Sequence, residues 1–234
     1  LVREAQAMAR LDHPNVVGVH EVGSTSDGVF VAMDLVEGET LRTWAEARPP
    51  WRDVVRVLAD TARGLAAVHA AGVIHRDVKP DNVIVGADGR ARIGDFGLAR
   101  SSRAATTGTP APDAALAAPQ GAESGLWTGA AGTPATAVAG TPAYMAPEVL
   151  RGSAASEASD QFGFGVSAYE VLAGKRPFEG RTWAELSRAI DAGAIATLRG
   201  VPSWLDAAIR RCCSVDPARR FPSMSAVADH LAER

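Results

Sequence analysis

The sequence predicts an α+β fold, with a few short strands near its start and a mainly helical second half. Two β-rich stretches at 16–22 and 29–35 flank a polar loop at residues 23–28, which indicates an antiparallel hairpin. At residues 51–71 the apolar side chains recur instead with the period of a helix. Helical patterns return between residues 156 and 233 and dominate that part of the chain.

The helix predicted at 51–71 has an apolar face and a glycine stop. Gly72 follows it, and glycine commonly ends helices. Residues 83–85 and 91–93 are short apolar stretches on either side of a Gly89 turn, and they predict a second, smaller hairpin. The apolar face of the helix predicted at 51–71 consists of Val54, Leu58, Ala62, Leu65 and Val68. The later helices are predicted at about 156–172, 183–192, 204–213 and 223–233.

Length and composition limit the class of protein. A chain of 234 residues is enough for one domain with a sizeable core. The formal net charge of -3 provides no basic surface for gathering nucleic acid, so we expect no nucleic-acid partner. No apolar run reaches the roughly 18 residues of a membrane span, so we expect no membrane contact from this segment. The only cysteines, Cys212 and Cys213, lack metal-site spacing and suit a reducing, cytoplasmic location.

Residues 101–139 differ in composition from the rest of the chain. Ala, Thr, Gly, Pro and Ser occupy 31 of these 39 positions. Because few large apolar side chains are present, ordering the segment would bury little surface against a large loss of chain entropy. We expect it to be disordered or weakly docked.

Two carboxylates, a lysine and an asparagine gather between residues 75 and 97. Asp77, Lys79 and Asn82 lie in a polar loop before the strand at 83–85, and Asp95 follows the next short strand. One carboxylate can accept a hydroxyl proton, and the ammonium can neutralise charge on a transferred phosphoryl group. The amide oxygen and the second carboxylate can hold Mg²⁺. This set of side chains suits phosphoryl transfer.

The same segment resembles the catalytic-loop and metal-binding motifs of protein kinases. The matching runs are His75-Arg76-Asp77-Val78-Lys79-Pro80-Asp81-Asn82 and Asp95-Phe96-Gly97. Similar matches continue at 140–148, 160–165 and 216–220. The sequence as a whole is most similar to those of the bacterial, eukaryotic-type serine/threonine protein kinases. Many members of that group carry a transmembrane helix and a sensor domain after the kinase domain.

The resemblance implies roles for the polar residues, with ATP and Mg²⁺ as cofactors and a protein Ser/Thr hydroxyl as acceptor. Asp77 is the expected catalytic base, and Lys79 contacts the transferred phosphate. Asn82 and Asp95 are the expected Mg²⁺ ligands. Thr141 is expected to bridge the base and the lysine. Lys79 also favours Ser/Thr over Tyr acceptors.

The adenine site and the flanking substrate site are implied in the same way. Met33 has the position of the gatekeeper residue behind adenine, although a core-filling Met at a strand end is the alternative. Asp34 and Val36 belong to the expected hinge that bonds the purine edge. Asp81 hints at basic residues near the acceptor hydroxyl of the substrate.

Further positions are implied to be structural or regulatory. Arg76, directly before Asp77, is typical of kinases whose activation segment is ordered by phosphorylation, with Thr133 and Thr136 as candidate sites. Glu148 is expected to pair with Arg220, with Arg219 as the alternative. The remaining positions of this kind are Glu4, whose lysine partner would precede residue 1, His75, Asp160 at the start of a central helix, Phe96 and Gly97.

The resemblance also implies a domain organisation of a protein-kinase-like fold. Residues 1–36 correspond to an incomplete small β lobe, and residues 37–234 correspond to a mainly helical large lobe with the insert 101–139. The glycine-rich loop and strand lysine that grip ATP are not found in the sequence. We therefore expect residues 1–234 alone to bind ATP·Mg²⁺ poorly. A clipped kinase and a truncated pseudokinase that serves as a scaffold remain the two interpretations, with the first favoured.

Overall fold

The computed structural model describes residues 10–25, 28–95, 142–180 and 182–233. Short antiparallel strands occupy the first part of these residues, and helices occupy most of the second part. The α+β fold class predicted from the sequence is therefore confirmed.

The first sheet is a hairpin of two strands, β1 (Val19–Thr25) and β2 (Gly28–Met33). They pair antiparallel from Val19 opposite Met33 to Thr25 opposite Gly28. The hairpin confirms the predicted element, but the predicted loop at 23–28 is too long. Backbone pairing needs no apolar side chain, so the strands continue through residues that are polar in sequence.

The second sheet contains the strand that directly follows the polar loop. Its three antiparallel strands are ordered β3 (Gly38–Thr40), β4 (Val83–Gly86) and β5 (Ala91–Ile93). The β4–β5 hairpin was predicted, whereas β3 was not. Asn15 holds the preceding segment to this sheet, since its side chain donates to the Ala91 carbonyl (2.9 Å) and its own carbonyl accepts from the Ile93 N–H (2.9 Å).

The described residues contain seven α-helices and three 3-10 turns. Two short helices, the first and the third, were not predicted, and the others begin and end within one residue of the predicted bounds. The helices are α1 (Leu41–Glu46), α2 (Trp51–Ala70), α3 (Pro147–Leu150), α4 (Glu157–Ala173), α5 (Trp183–Ala192), α6 (Ser203–Cys212) and α7 (Met224–Ala232). The 3-10 turns are Pro80–Asn82, Pro142–Tyr144 and Pro217–Arg219.

Helix α2 lies in the larger of two hydrophobic cores and packs against α4, α7 and β5. All five residues of its predicted apolar face are at most 2% exposed, which confirms that face. Gly64, within the helix, is required by close packing, because a Cβ there would lie 2.3 Å from the Asn15 carbonyl oxygen. The strand-anchoring turn at Asn15 and the helix therefore fit together only with glycine at this position.

Helix α4 is buried on all sides from Ser159 to Tyr169. Its N-terminus is closed by a reciprocal capping box between Ser156 and Ser159, and it ends at Gly174 with φ +70°. Gly165 lets it approach the end of α6, where the free and buried Cys212 and Cys213 lie. A helix that is buried on all sides is held in place by its neighbours, so loops bonded to it have a fixed position.

In the described part of the chain, no helix combines the length and the apolar character that crossing a membrane requires.

Candidate active site

Asp160, in the first turn of α4, fixes the polar loop that follows α2. Its side chain is 1% exposed and accepts three hydrogen bonds. Oδ2 accepts from the His69 ring and from the His75 backbone N–H, and Oδ1 accepts from the Arg76 backbone N–H, each at 2.8 Å. These bonds hold Arg76 in the left-handed region at φ +68°, which is strained for a residue with a Cβ. The buried carboxylate therefore determines where the loop presents the next residue, Asp77.

The His75 ring joins this loop to the segment before Asp95. Its Nε2 donates to the Gly94 carbonyl (3.0 Å), and its Nδ1 accepts from the Asp77 backbone N–H (3.3 Å) when the ring is neutral with its proton on Nε2. Desolvation in this fully buried position lowers the pKa of His75 below its ordinary value. The neutral tautomer thus fits both bonds.

Asp77, Lys79 and Asn82 come together as the sequence predicted. Lys79 Nζ lies 2.7 Å from Asp77 Oδ2. Asn82 Nδ2 donates to the Asp77 carbonyl (2.7 Å) and to Asp77 Oδ2 (3.2 Å). Both side chains of the ion pair are largely buried, at 15% and 10% exposure, so the pair is shielded from solvent screening. The carboxylate is held in one orientation by a cation and an amide.

Asn82 and Asp95 carry oxygen atoms that could hold a cation. The Asn82 carbonyl accepts from the Gly94 N–H (2.9 Å), which brings the residue before Asp95 against the loop. Because Asn82 Nδ2 is bound to Asp77, its Oδ1 is the end left for a ligand, and no donor in the described residues binds it. Asp95 is exposed and has φ +55°. An amide oxygen and a carboxylate are ligands that suit Mg²⁺.

The predicted adenine-binding residues lie at the end of β2 and directly after it. Met33 is 43% exposed, so it is not a buried core filler among the described residues. Asp34 donates its backbone N–H to the Gly18 carbonyl (2.8 Å), and its carboxylate lies 2.8 Å from His20 Nε2. Within the described ranges, neither the Asp34 carbonyl nor the Val36 N–H has a hydrogen-bond partner. Two backbone groups of opposite polarity therefore remain open at this edge.

Arg220 pairs with Glu148, and Arg219 does not. Arg220 Nη1 and Nη2 contact the two Glu148 oxygens at 2.7 and 2.9 Å. Arg220 also donates to the carbonyls of Ala158 (2.7 Å) and Ser214 (2.9 Å), and its side chain is fully buried. This pair ties α3 to α4 and to the turn before α7.

A cluster around another arginine, which sequence reasoning missed, includes Asp81 of the loop at residues 75–82. Arg42 in α1 donates to both oxygens of Asp81 (2.7 and 2.8 Å), to Glu170 (3.1 Å) and to the Tyr144 hydroxyl (2.7 Å). The Tyr144 hydroxyl donates in turn to Glu170 (2.6 Å). We call these four residues the Arg42 cluster.

The Arg42 cluster perturbs the pKa values of its members. Hydrogen bonding to Arg42 lowers the pKa of Asp81, and hydrogen bonding to Asp81 raises that of Arg42. Burial, followed by Glu170, raises the pKa of Tyr144 to about 12. Because the partners are as many as 128 positions apart in the chain, no local pattern could have indicated them.

Several predicted residues lie outside the residues that the structure describes. They are Glu4, Phe96, Gly97, Thr141, the candidate phosphorylation sites Thr133 and Thr136, and the whole insert 101–139. Their roles stay predictions.

Comparison with known proteins agrees with the motifs. The family described as "Protein kinase domain" matches residues 1–231. The chain is 34% identical over 242 residues to the serine/threonine-protein kinase PknL of Mycobacterium tuberculosis, covering 98% of this chain and 54% of the relative. It is 35% identical over 230 residues to the serine/threonine-protein kinase PkaB of Streptomyces coelicolor, covering 94% and 49%.

The chain thus spans about half the length of these curated relatives. Members of the matched family use ATP as phosphoryl donor, typically with Mg²⁺. The family model extends over nearly all 234 residues, and the relatives match on both sides of the insert. The chain therefore belongs to the protein kinase domain family.

Proposed function

We propose that this chain is the catalytic domain of a serine/threonine protein kinase that transfers the γ-phosphoryl group of ATP to protein hydroxyls. The observation that carries the proposal is the arrangement of Asp77, Lys79 and Asn82. A carboxylate that is oriented by an amide and paired with an ammonium is suited to receive a proton beside a transferring phosphoryl group.

In the proposed reaction, the acceptor Ser or Thr hydroxyl donates its hydrogen bond to Asp77. Its oxygen forms the new bond to the γ-phosphorus while the bond from that phosphorus to the β–γ bridging oxygen breaks, leaving ADP. The hydroxyl proton passes to the Asp77 carboxylate, and the Lys79 ammonium balances charge on the transferred group. Asn82 and Asp95 would hold Mg²⁺, which supplies neutralisation of phosphate charge when bound.

The backbone groups after β2 support the nucleotide part of the proposal. The Asp34 carbonyl and the Val36 N–H are an acceptor and a donor, as the edge of adenine requires. Met33 at the end of β2 is the neighbour that would contact the ring. A cytoplasmic location and a protein substrate belong to the same proposal.

Transfer from radiolabelled ATP to dephosphorylated casein tests the function. Because residues 1–234 are expected to bind ATP·Mg²⁺ poorly, the assay uses a high ATP concentration. We expect slow Mg²⁺-dependent incorporation by the wild-type chain, and a further loss of at least about 100-fold in Asp77→Asn, because the proton acceptor is removed. Asp88→Asn, which changes an exposed carboxylate in the β4–β5 turn, is the matched control and should keep wild-type activity. Equal incorporation by the wild type and Asp77→Asn would contradict the proposal.

Autophosphorylation within the insert is a separate part of the proposal. It rests on Arg76, whose position before the base is typical of kinases ordered by phosphorylation. Mass spectrometry of wild-type and Asp77→Asn protein should find phosphate on Thr133 or Thr136 only in the wild type. The same phosphate pattern in both proteins would show that another kinase adds it.

A further inference from the structure

A large cavity opens beside the catalytic loop. Its volume is about 880 Å³, and it lies between α1, the start of α2, the end of α4 and residues 199–201. Pro80, which belongs to the catalytic loop, forms part of its wall, as do Arg42 and Glu170 of the Arg42 cluster. A peptide whose acceptor hydroxyl lay at Asp77 would therefore have this cavity next to it.

Two acidic side chains, Glu170 in the cavity wall and Asp81 next to the wall residue Pro80, are already engaged. Arg42 donates hydrogen bonds to both carboxylate oxygens of Asp81. Glu170 accepts hydrogen bonds from Arg42 and from the Tyr144 hydroxyl. A basic residue of a substrate would have to displace an intramolecular guanidinium to reach them. The geometry therefore gives no support to the basic preference that Asp81 alone suggests in the sequence.

Two further arginines belong to the cavity wall. Arg48 and Arg199 line the cavity and form no ion pair within the described residues, and Lys175 and Arg176 follow Gly174, another wall residue. Arg48 has φ +50°, a strained conformation that its place before Pro49 makes more costly. Glu46 and Glu170 are the acidic lining residues, and Glu170 is already paired with Arg42. With Arg42 and Glu170 paired to each other, Arg48 and Arg199 outnumber Glu46 among the lining residues, in contrast to the net charge of -3 for the whole chain.

The walls between these charges are apolar. Pro50, Trp51, Leu172 and Val201 contribute to them. A segment that carries acidic residues and an apolar side chain has the complementary chemistry, because the acidic groups can meet the rim while the apolar group leaves water.

We propose that this cavity receives the part of the protein substrate that flanks the acceptor Ser or Thr, and that it selects acidic residues there. Arg42 is the specificity-determining residue, since it masks Asp81 and Glu170. The inference rests on the proposed function, because it assigns a substrate class to the same site.

Fluorescence anisotropy with labelled peptides tests the selection without ATP. Three peptides share one Ser acceptor and one Leu and differ only in their flanking residues, which are Glu, Gln or Arg. The wild-type chain should bind the Glu peptide about tenfold more tightly than the Arg peptide at low salt, and the ratio should shrink at about 0.5 M salt.

Variants locate the effect. Arg48→Gln/Arg199→Gln should weaken binding of the Glu peptide at least about threefold and leave the Gln peptide unchanged. Arg42→Gln should strengthen binding of the Arg peptide. Arg90→Gln is the matched control, because Arg90 is exposed in the β4–β5 turn and does not line the cavity. Thermal unfolding verifies that each variant is folded.

Three results would overturn the inference: an Arg peptide bound as tightly as the Glu peptide, a Glu preference that survives in the double variant, or no binding of any peptide. The proposed function is tested separately by phosphoryl transfer. Binding selectivity without transfer would contradict only the proposed function, whereas transfer with equal binding of all peptides would contradict only this inference.

Discussion

The Arg220–Glu148 pair and the Arg42 cluster use the same chemistry in different surroundings. Arg220 makes a bidentate contact with the Glu148 carboxylate, and Arg42 makes one with the Asp81 carboxylate. The Arg220 side chain is fully buried, and its other donors reach backbone carbonyls, whereas Arg42 is 38% exposed and its partner Asp81 is 44% exposed. Because it is buried, the Arg220–Glu148 pair is a fixed contact that holds parts of the fold together. Exposure leaves the Arg42 cluster open to solvent.

Removing the buried guanidinium should have the largest effect on stability. Arg220→Met leaves the Glu148 carboxylate without its cation in a partly buried place, and we expect a loss of about 3–5 kcal/mol in the free energy of unfolding by urea. Arg219→Met, the neighbouring exposed arginine, should change stability by less than about 0.5 kcal/mol. Similar losses in the two variants would contradict the assignment of Arg220 as the partner of Glu148.

Asp160→Asn should have the second-largest effect on stability. An amide places an N–H against one of the backbone N–H groups of His75 or Arg76, so the loop loses an acceptor at a buried site. We expect a loss of about 1–3 kcal/mol in urea unfolding, together with reduced phosphoryl transfer. Asp229→Asn, at an exposed carboxylate of α7, serves as control and should match the wild type in both measurements.

Arg42→Gln should cost about 1 kcal/mol or less, because both partners of the main contact are exposed and solvent screens them. Its consequence should appear in peptide selection and not in stability. Arg56→Gln, which breaks an exposed pair with Asp53 in α2, gives the baseline for a surface ion pair. A loss near that of Arg220→Met would show that the Arg42 cluster is structural.

The pH dependence of stability should be the most gradual effect. Burial lowers the pKa of His75 below its ordinary 6.5, so the unfolded chain takes up a proton there below about pH 6.5 while the folded protein does not. The free energy of unfolding should therefore fall as the pH drops below that value. In His75→Gln this fall should be shallower. An unchanged slope in denaturation series between pH 5 and 8 would exclude His75 as its source.

Sequence reasoning succeeded where the signal is local. The helical spacing of apolar residues predicted α2 and the later long helices. The run of charged and polar residues at 75–82 predicted the loop that brings Asp77, Lys79 and Asn82 together. It missed β3, because Gly38-Glu39-Thr40 has no apolar alternation and pairs only through its backbone. It also missed the Arg42 cluster and His69, because their partners are brought together by the tertiary fold and not by spacing.

The neighbouring cysteines provide a chemical reporter. Cys212 and Cys213 are the only thiols in the chain, and burial raises the pKa of Cys212 to about 12 and that of Cys213 well above its ordinary value. Little thiolate is present at neutral pH, so alkylating reagents should modify them only when α4 and α6 separate. The alkylation rate would then report opening of the helical part. A cysteine introduced at Leu35, which is 93% exposed, would be the reactive thiol for attaching a probe to the folded protein.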